Sequence, residues 1–527
     1  MINIFFYNFF LNDILFIPIG SIIFIYIFIY LNFKHFFFKL YIKNKEKKKF
    51  ILKNFYNLNS NYIYKKLVFF ILNFFCILSF IYILLITYYY NYINNYIFLS
   101  FQVSNLSLNY FKLVLIFSIY SFIVLKKNYN KTKNFELLIS YFFFFSCLLY
   151  YLSVNNILTL IFIFELQSMI FIYLLSNLFY IKDSFIINKF SENSLWYLNS
   201  ILYQFWVSFL GIILLVYTLL VFLKKIYFLD WINIEIYVYF LNFSNFYLNN
   251  NEFLLIFLPL ILGILLKLGI FPFFFWKPEI YRNFSLDIIF VYMTTYMFST
   301  SYFIIFIITT YFLLINKFVF LYFNFVIVFT LIFLPIVFYS VTEIRLFLGY
   351  TYLFHIAIIL ISSFLNSLFY YSSFVYLIVY IYFSFYLIVL LYYISNINLW
   401  YFTDFQVFFK NNLVNLVLFN LMLGMSGIPP FLGFFSKISV ISVLMLNENY
   451  FYFFIFFISG LVLSFYYIQN YRFFGYNLKS INYSKDYLVL KLNFSYLNYL
   501  ILFIFFNLFS FFFFSDLLVF SYTFKLN

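Results

Sequence analysis

Long apolar runs, separated by short charged or asparagine-rich breaks, repeat along the whole chain. A helix needs about 20 apolar residues to cross the hydrocarbon of a bilayer, and the breaks divide the sequence into fourteen such spans. In order they cover 14–33, 67–88, 111–125, 135–152, 157–181, 195–223, 253–276, 288–316, 318–340, 346–362, 368–394, 413–446, 450–471 and 496–520. The pattern predicts an all-α polytopic membrane protein, since the alternation is too coarse for a membrane β-barrel. The longest polar stretches, 34–66 and 224–252, read as loops or interfacial helices rather than soluble domains.

Two spans look broken. Span twelve has 34 residues, about 51 Å of helix against a core of about 30 Å. Gly427-Ile428-Pro429-Pro430-Phe431 lies in its middle, and proline cannot continue the hydrogen-bond ladder. Span seven carries Gly269-Ile270-Phe271-Pro272-Phe273, a matching pentad 158 residues earlier. Interrupted helices at corresponding places in two halves point to a transport site. The expected organisation is an N-terminal three-helix segment (1–134), a first five-helix repeat (135–316), a second (317–472), and a loop with the last span (473–527).

Composition narrows the class. Of 527 residues, 67% are hydrophobic and 9% charged, with a mean hydropathy of +1.02. A soluble fold could not cover that much apolar area, so soluble nucleotide-binding domains, disulfide scaffolds and disordered tails are excluded. Phe (94) and Tyr (57) are abundant while Ala357 is the one alanine, a bias towards A/T-rich codons that points to an organellar gene. Met1 leads almost straight into apolar sequence, and no cleavable signal is expected. Cys76 and Cys147 are isolated, which leaves no disulfide framework, zinc site or iron–sulfur cluster.

Charge sets a topology. The odd-numbered loops hold 24 of the 31 Lys and Arg residues, Lys277 and Arg282 among them, while even loops and termini hold five. This positive-inside asymmetry puts the odd loops in the matrix or cytoplasm and both termini on the opposite side. The net charge of +15 is therefore a topology signal, not a nucleic-acid footprint.

Three ionisable residues fall well inside spans: Glu165, Lys267 and Lys437. Each costs about 3 kcal/mol if it faces lipid, so each must face protein or water. Glu165 and Lys267, opposite in sign, are either a structural ion pair or a pair whose opening and closing moves protons. His355 is the only histidine inside a span, either a core histidine satisfied by a hydroxyl or a relay member. Glu136, Glu343 and Asp404 fall at span ends and are expected to make interfacial ion pairs. No phosphate-binding loop, zinc-protease motif or haem-spaced histidine pair occurs, so no redox centre is expected on the chain.

Four segments are recognisable. The run KLGIFPFFFWKPEIY (267–281) resembles the K-L-G-x-x-P-F-H-F-W-x-P-E-V stretch of the antiporter-like membrane subunits of respiratory NADH:ubiquinone oxidoreductase (complex I), in their subunit 2 form. GIPPFLGFFSK (427–437) resembles that family's A-G-I-P-P-x-x-G-F-x-x-K, ELQS (165–168) its E-L-Q-S, and RLFLGYTYLFH (345–355) its R-L-L-(A/G)-Y-S-S-I-x-H. The resemblance implies fourteen helices with spans four to eight and nine to thirteen related as inverted repeats. It also implies a hydrated proton axis in which Glu165, Lys267 and Lys437 take part; His355 joins them as a relay candidate from its own place inside a span, not from the resemblance. The expected site is the mitochondrial inner membrane, with termini in the intermembrane space. Expected partners are other membrane-arm subunits, including the neighbouring antiporter-like subunit 4 and the small membrane subunits, and lipids, with no nucleic acid. No cofactor or metal is expected on this chain; the complex would use FMN, iron–sulfur clusters, ubiquinone and NADH.

One position departs from the pattern. The family's central lysine lies thirty residues after the span-seven lysine, and that count from Lys267 reaches Met297. Thr294, Tyr296 and Ser301 surround it; they can order water but cannot hold a proton at neutral pH. The alternatives to a proton-translocating subunit are an Mrp-type cation/proton antiporter component and a structural complex I subunit that does not pump.

Overall fold

In the computed structural model of the protein, the described residues are 97–98, 101–102, 144, 147, 156–183, 192–226, 230, 233–234, 236, 250–284, 286–297, 300–301, 317–364, 370–394, 412–475, 504 and 507. Spans one to three, span four apart from Phe144 and Cys147, and span fourteen apart from Ile504 and Asn507 lie outside them, as do Glu136 and Asp404. The chain divides into two compact units, Met1–Asn155 with Met169–Asn177, and Asn156–Ser168 with Leu178–Asn527. In the first, Ile97–Phe98 (β1) pairs antiparallel with Phe101–Gln102 (β2), and the buried Phe144 ring lies 6.1 Å from Phe171.

The second unit is helical, and the first helix has residues in both units. The elements are α1 (Ile157–Asp183), α2 (Glu192–Ile226), α3 (Asn250–Leu268), α4 (Trp276–Asn283) and α5 (Leu286–Val291), which runs on into a π-helical turn, Tyr292–Tyr296. Then come α6 (Lys317–Phe338), α7 (Ile344–Phe364), α8 (Tyr370–Ile394), α9 (Asn412–Ser426), α10 (Leu432–Leu446) and α11 (Tyr450–Gly475). Span twelve is thus two helices, and span seven is one helix followed by a break, with α4 starting at its last residue. Among the described residues, five helices are long and apolar enough to cross a membrane.

The hydrophobic pattern that fixes these helices also sorts them radially. α7 packs on α4, α6 and α8, and α8 packs on α10 and on the π turn. In the crossing part of α7, Ile344–Ser363, 83% of the residues are buried, against 22% for Leu198–Lys224 of α2 and 28% for Tyr450–Asn470 of α11. α2 and α11 instead expose large apolar side chains such as Trp206, Phe209, Leu220, Phe454, Ile458 and Phe465. That arrangement suits lipid as solvent, where an apolar exterior costs nothing. α7 is the inner helix.

Both breaks end their first helix in the same way. Gly269 (φ 69°) and Gly427 (φ 70°) sit in the left-handed region that a side chain would strain. Ile270 N–H donates to Leu265 O, and Ile428 N–H to Leu423 O, the long backward bond of a Schellman cap. Prolines follow at once, and the chain restarts as α4 or α10. At the second restart Asn507 contributes from span fourteen: its Oδ1 accepts from Leu432 N–H at 3.2 Å and its Nδ2 donates to Asn420 O at 3.3 Å. It thereby satisfies backbone groups on both sides of the break.

Candidate functional site

The polar groups of the bundle follow the two breaks. Lys267 ends α3, and its stem runs over Gly211 of α2, where the approach of Gly211 to Gly263 brings the two helices close. Lys267 Nζ is buried, makes no hydrogen bond, and sits 3.4 Å from the centre of the Phe164 ring. A desolvated ammonium over an aromatic face gains about 2 kcal/mol or more, so the ring takes the place of a direct counter-ion. Glu165, the next residue on α1, is near enough to act on the ammonium electrostatically without forming a salt bridge. Its own side chain is exposed, in a stripe with Leu158, Phe162 and Leu166. The helix turns Phe164 inward and the carboxylate outward.

The second break holds Lys437 near the start of α10. Its Nζ donates to Ser426 O at 2.7 Å, one of the carbonyls released where α9 stops. A Cβ on Gly427 would lie 2.6 to 2.9 Å from Lys437 Cδ, Cε and Nζ, so the lysine stem packs directly on the glycine. Beside it is a cavity of about 20 Å³ lined by His355, Tyr376, Tyr380, Met425, Ser436 and Lys437, among others. That volume holds one water.

His355, on α7, projects into this cavity. Its Nδ1 shares a 2.6 Å hydrogen bond with Tyr376 Oη, its ring lies 4.3 Å from the Tyr380 ring, and its Nε2 is buried without a protein partner. Lys437 acts on it electrostatically. The structure thus brings His355 and Lys437 to one polar cavity, and sets Lys267 and Glu165 near each other at the other break.

Met297, which follows the π turn, is fully buried. Three hydroxyls there donate to carbonyls of their own helix: Thr294 to Phe290 O (2.7 Å), Ser301 to Met297 O (2.6 Å) and Thr300 to Tyr296 O (2.8 Å). In a medium without water a hydroxyl takes the nearest carbonyl.

A group that the sequence pattern placed elsewhere fills the neighbourhood. Lys277, counted above with the loop charges, is the second residue of α4 and is 0% exposed. Its Nζ donates to Tyr352 Oη at 3.0 Å and lies 4.2 Å from the centre of that ring, 5.5 Å from those of Trp276 and Tyr292, and 5.9 Å from that of Tyr296. Its stem packs on Gly269, whose Cβ would fall 2.9 Å from Lys277 Cγ and Cδ. The break folds α4 back under α7, at a contact where Gly349 meets Pro278, and this carries Lys277 inwards. At the outer end of the same contact Arg282 Nη2 donates to Glu343 Oε1 at 2.6 Å, the interfacial pair expected for Glu343.

A family profile for the transmembrane region of NADH:quinone oxidoreductases and Mrp antiporters matches residues 154–464, which include Glu165, Lys267, Lys277, His355 and Lys437. The chain belongs to this family. No curated protein matches it by sequence. The fold of the family is also found among solved structures. One is a chain of respiratory complex I from Thermus thermophilus with bound aureothin, 13% identical over 86% of this chain and 94% of that one, with a TM-score of 0.64. Another is a chain of the membrane-bound sulfane sulfur reductase, an archaeal respiratory membrane complex, 15% identical over 84% of this chain and 71% of that one, with a TM-score of 0.66. The antiporter-family chain described here is thus a helical, multi-pass membrane protein.

Proposed function

We propose that the chain is a proton-translocating membrane-arm subunit of a respiratory NADH:quinone oxidoreductase, of the subunit 2 form, in the mitochondrial inner membrane. The observation that carries the reading is the pairing of each mid-membrane helix break with a buried ammonium, Lys267 at one and Lys437 at the other, the second opening on a cavity shared with His355. A backbone break inside a membrane helix is tolerated where it lines a cavity, and an intramembrane lysine is a proton-pathway residue by default. In this reading a proton arrives near Glu165 and Lys267, and leaves through His355 and Lys437. A carboxylate on an apolar exterior costs about 3 kcal/mol against lipid, so in this reading that face of α1 meets protein or water rather than lipid. The two inverted repeats and fourteen helices implied by the sequence resemblance belong to the same reading.

The family includes Mrp antiporters as well, and the bundle suits cation/proton exchange without electron transfer. Purification of the tagged chain from its native membrane separates the two. In the complex I reading it brings down NADH-oxidising, quinone-reducing activity that acidifies the vesicle lumen. Isolation with antiporter subunits alone and no NADH oxidation would favour the exchanger.

A further inference from the structure

We propose that Lys277 is a proton-exchanging group of the same axis, the first-break counterpart of Lys437, and that it takes the place left by Met297. The proposal rests on the proton-translocating reading above and adds a residue to it.

Local geometry makes the correspondence. At each break a left-handed glycine ends one helix, a second helix starts within seven residues, and a lysine in its first two turns lays its stem on that glycine. Gly269 meets Lys277 Cγ and Cδ as Gly427 meets Lys437 Cδ and Cε. Lys267 precedes its break and has no such relation to a glycine cap. The lysine of the first break that matches Lys437 is thus Lys277, ten residues further on than the one the sequence pattern marks.

Its position suits the middle of the path. Tyr292 and Tyr296, whose rings flank its Nζ, belong to the π turn that ends at Met297. Tyr352, which accepts its hydrogen bond, precedes His355 by one helical turn on α7. Its stem rests on the glycine two residues after Lys267 and its hydrogen-bond acceptor stands one helical turn from His355, which relates it to both outer groups of the axis.

Its surroundings favour exchange over anchoring. Among the described residues Lys277 makes no salt bridge with a carboxylate. It is held instead by four ring faces and one phenol. Rings stabilise the charged form without locking it, and a neutral amine in the same place still keeps its hydrogen bond to Tyr352. In a forward step the Lys277 ammonium gives one proton to the Tyr352 oxygen while the Tyr352 hydroxyl gives its own proton onward to a water on the His355 side. The phenol is unchanged, and the amine is left neutral until a proton from the Lys267 side restores it.

The test uses the whole complex in sealed vesicles, with protons moved per NADH oxidised as the readout. Lys277→Met and Lys277→Arg are compared with Lys437→Met. Arginine keeps the charge, the stem and the ring contacts but does not release its proton. Both Lys277 variants are expected to lower the ratio to the value that Lys437→Met gives. A wild-type ratio in Lys277→Arg, or in Lys277→Met, would overturn the proposal by showing that only a structural cation, or none, is needed. Should neither variant assemble, Tyr352→Phe decides: it keeps the ring and removes the acceptor, and an unchanged ratio there overturns the proposal too. A drop in Lys437→Met with none in the Lys277 variants refutes this inference alone; no drop in any variant refutes the functional reading beneath it.

Discussion

The substitution Gly427→Ala tests the break at Lys437 most sharply, because the structure gives both parts of its cost. An alanine at φ 70° is a left-handed residue with a Cβ, which costs about 1–2 kcal/mol. That Cβ would stand 2.6 Å from Lys437 Cδ, 2.8 Å from Cε and 2.9 Å from Nζ, separations that packed atoms do not tolerate. The lysine must therefore swing away, and its 2.7 Å bond to Ser426 O goes with it. A hydrogen bond to a charged group contributes about 1.5–3 kcal/mol, so the total comes to about 3–5 kcal/mol. Gly460 is the control: it lies inside α11 with nothing within 4 Å of its Cβ position. Gly460→Ala is expected to be neutral or slightly stabilising, given alanine's helix propensity of about 1 kcal/mol over glycine. Thermal unfolding of the purified complex, followed through this subunit, and protons per NADH should both fall in Gly427→Ala and neither in Gly460→Ala. If the two variants behave alike, the lysine does not depend on the glycine cap and the argument fails.

Three further outcomes follow from single contacts. Asn507→Leu removes the acceptor of Leu432 N–H and a second donor to Asn420 O; leaving the buried Leu432 N–H unmatched should cost about 1–3 kcal/mol, seen as a lower unfolding temperature and reduced assembly. Tyr376→Phe deletes the 2.6 Å partner of His355 Nδ1 and should lower protons per NADH while changing thermal stability by only about 1 kcal/mol; an unchanged ratio would place His355 in the packing alone. Glu343→Gln breaks the pair with Arg282, whose side chain is 37% exposed, so a stability loss above about 1 kcal/mol would contradict its assignment as a surface pair.

The broad architecture was legible because it depends on patterns that survive a biased composition. Apolar run length located α1, α2, α6, α7, α8 and α11, and glycine beside proline in a chain poor in both marked the two breaks. Lys267, Lys437 and His355 stood out for the same reason: an ionisable residue in an apolar run has few alternatives. Lys277 did not, because it follows the break and its neighbours Pro278 and Glu279 read as a loop; only the fold-back of α4 under α7 buries it. Asn507 was one asparagine in an asparagine-rich chain. The tyrosines around Lys277 were hidden among 57 of their kind, where composition gives no reason to prefer Tyr352 over any other. Glu165 was placed in the right span, but its direction depends on the rotation of α1, which a uniformly apolar helix does not encode.

The central claim, that protons cross the membrane through this chain along its buried ammonium groups, is tested most directly by proton stoichiometry. Protons moved per NADH oxidised are measured for the assembled complex in sealed vesicles, with wild-type chain and with Lys267→Met and Lys437→Met. Electron transfer to quinone is recorded in the same samples with the membrane made permeable. The account predicts that each variant still transfers electrons and moves fewer protons for each NADH. A stoichiometry equal to wild type in both variants, with the chain present at full occupancy, would contradict it.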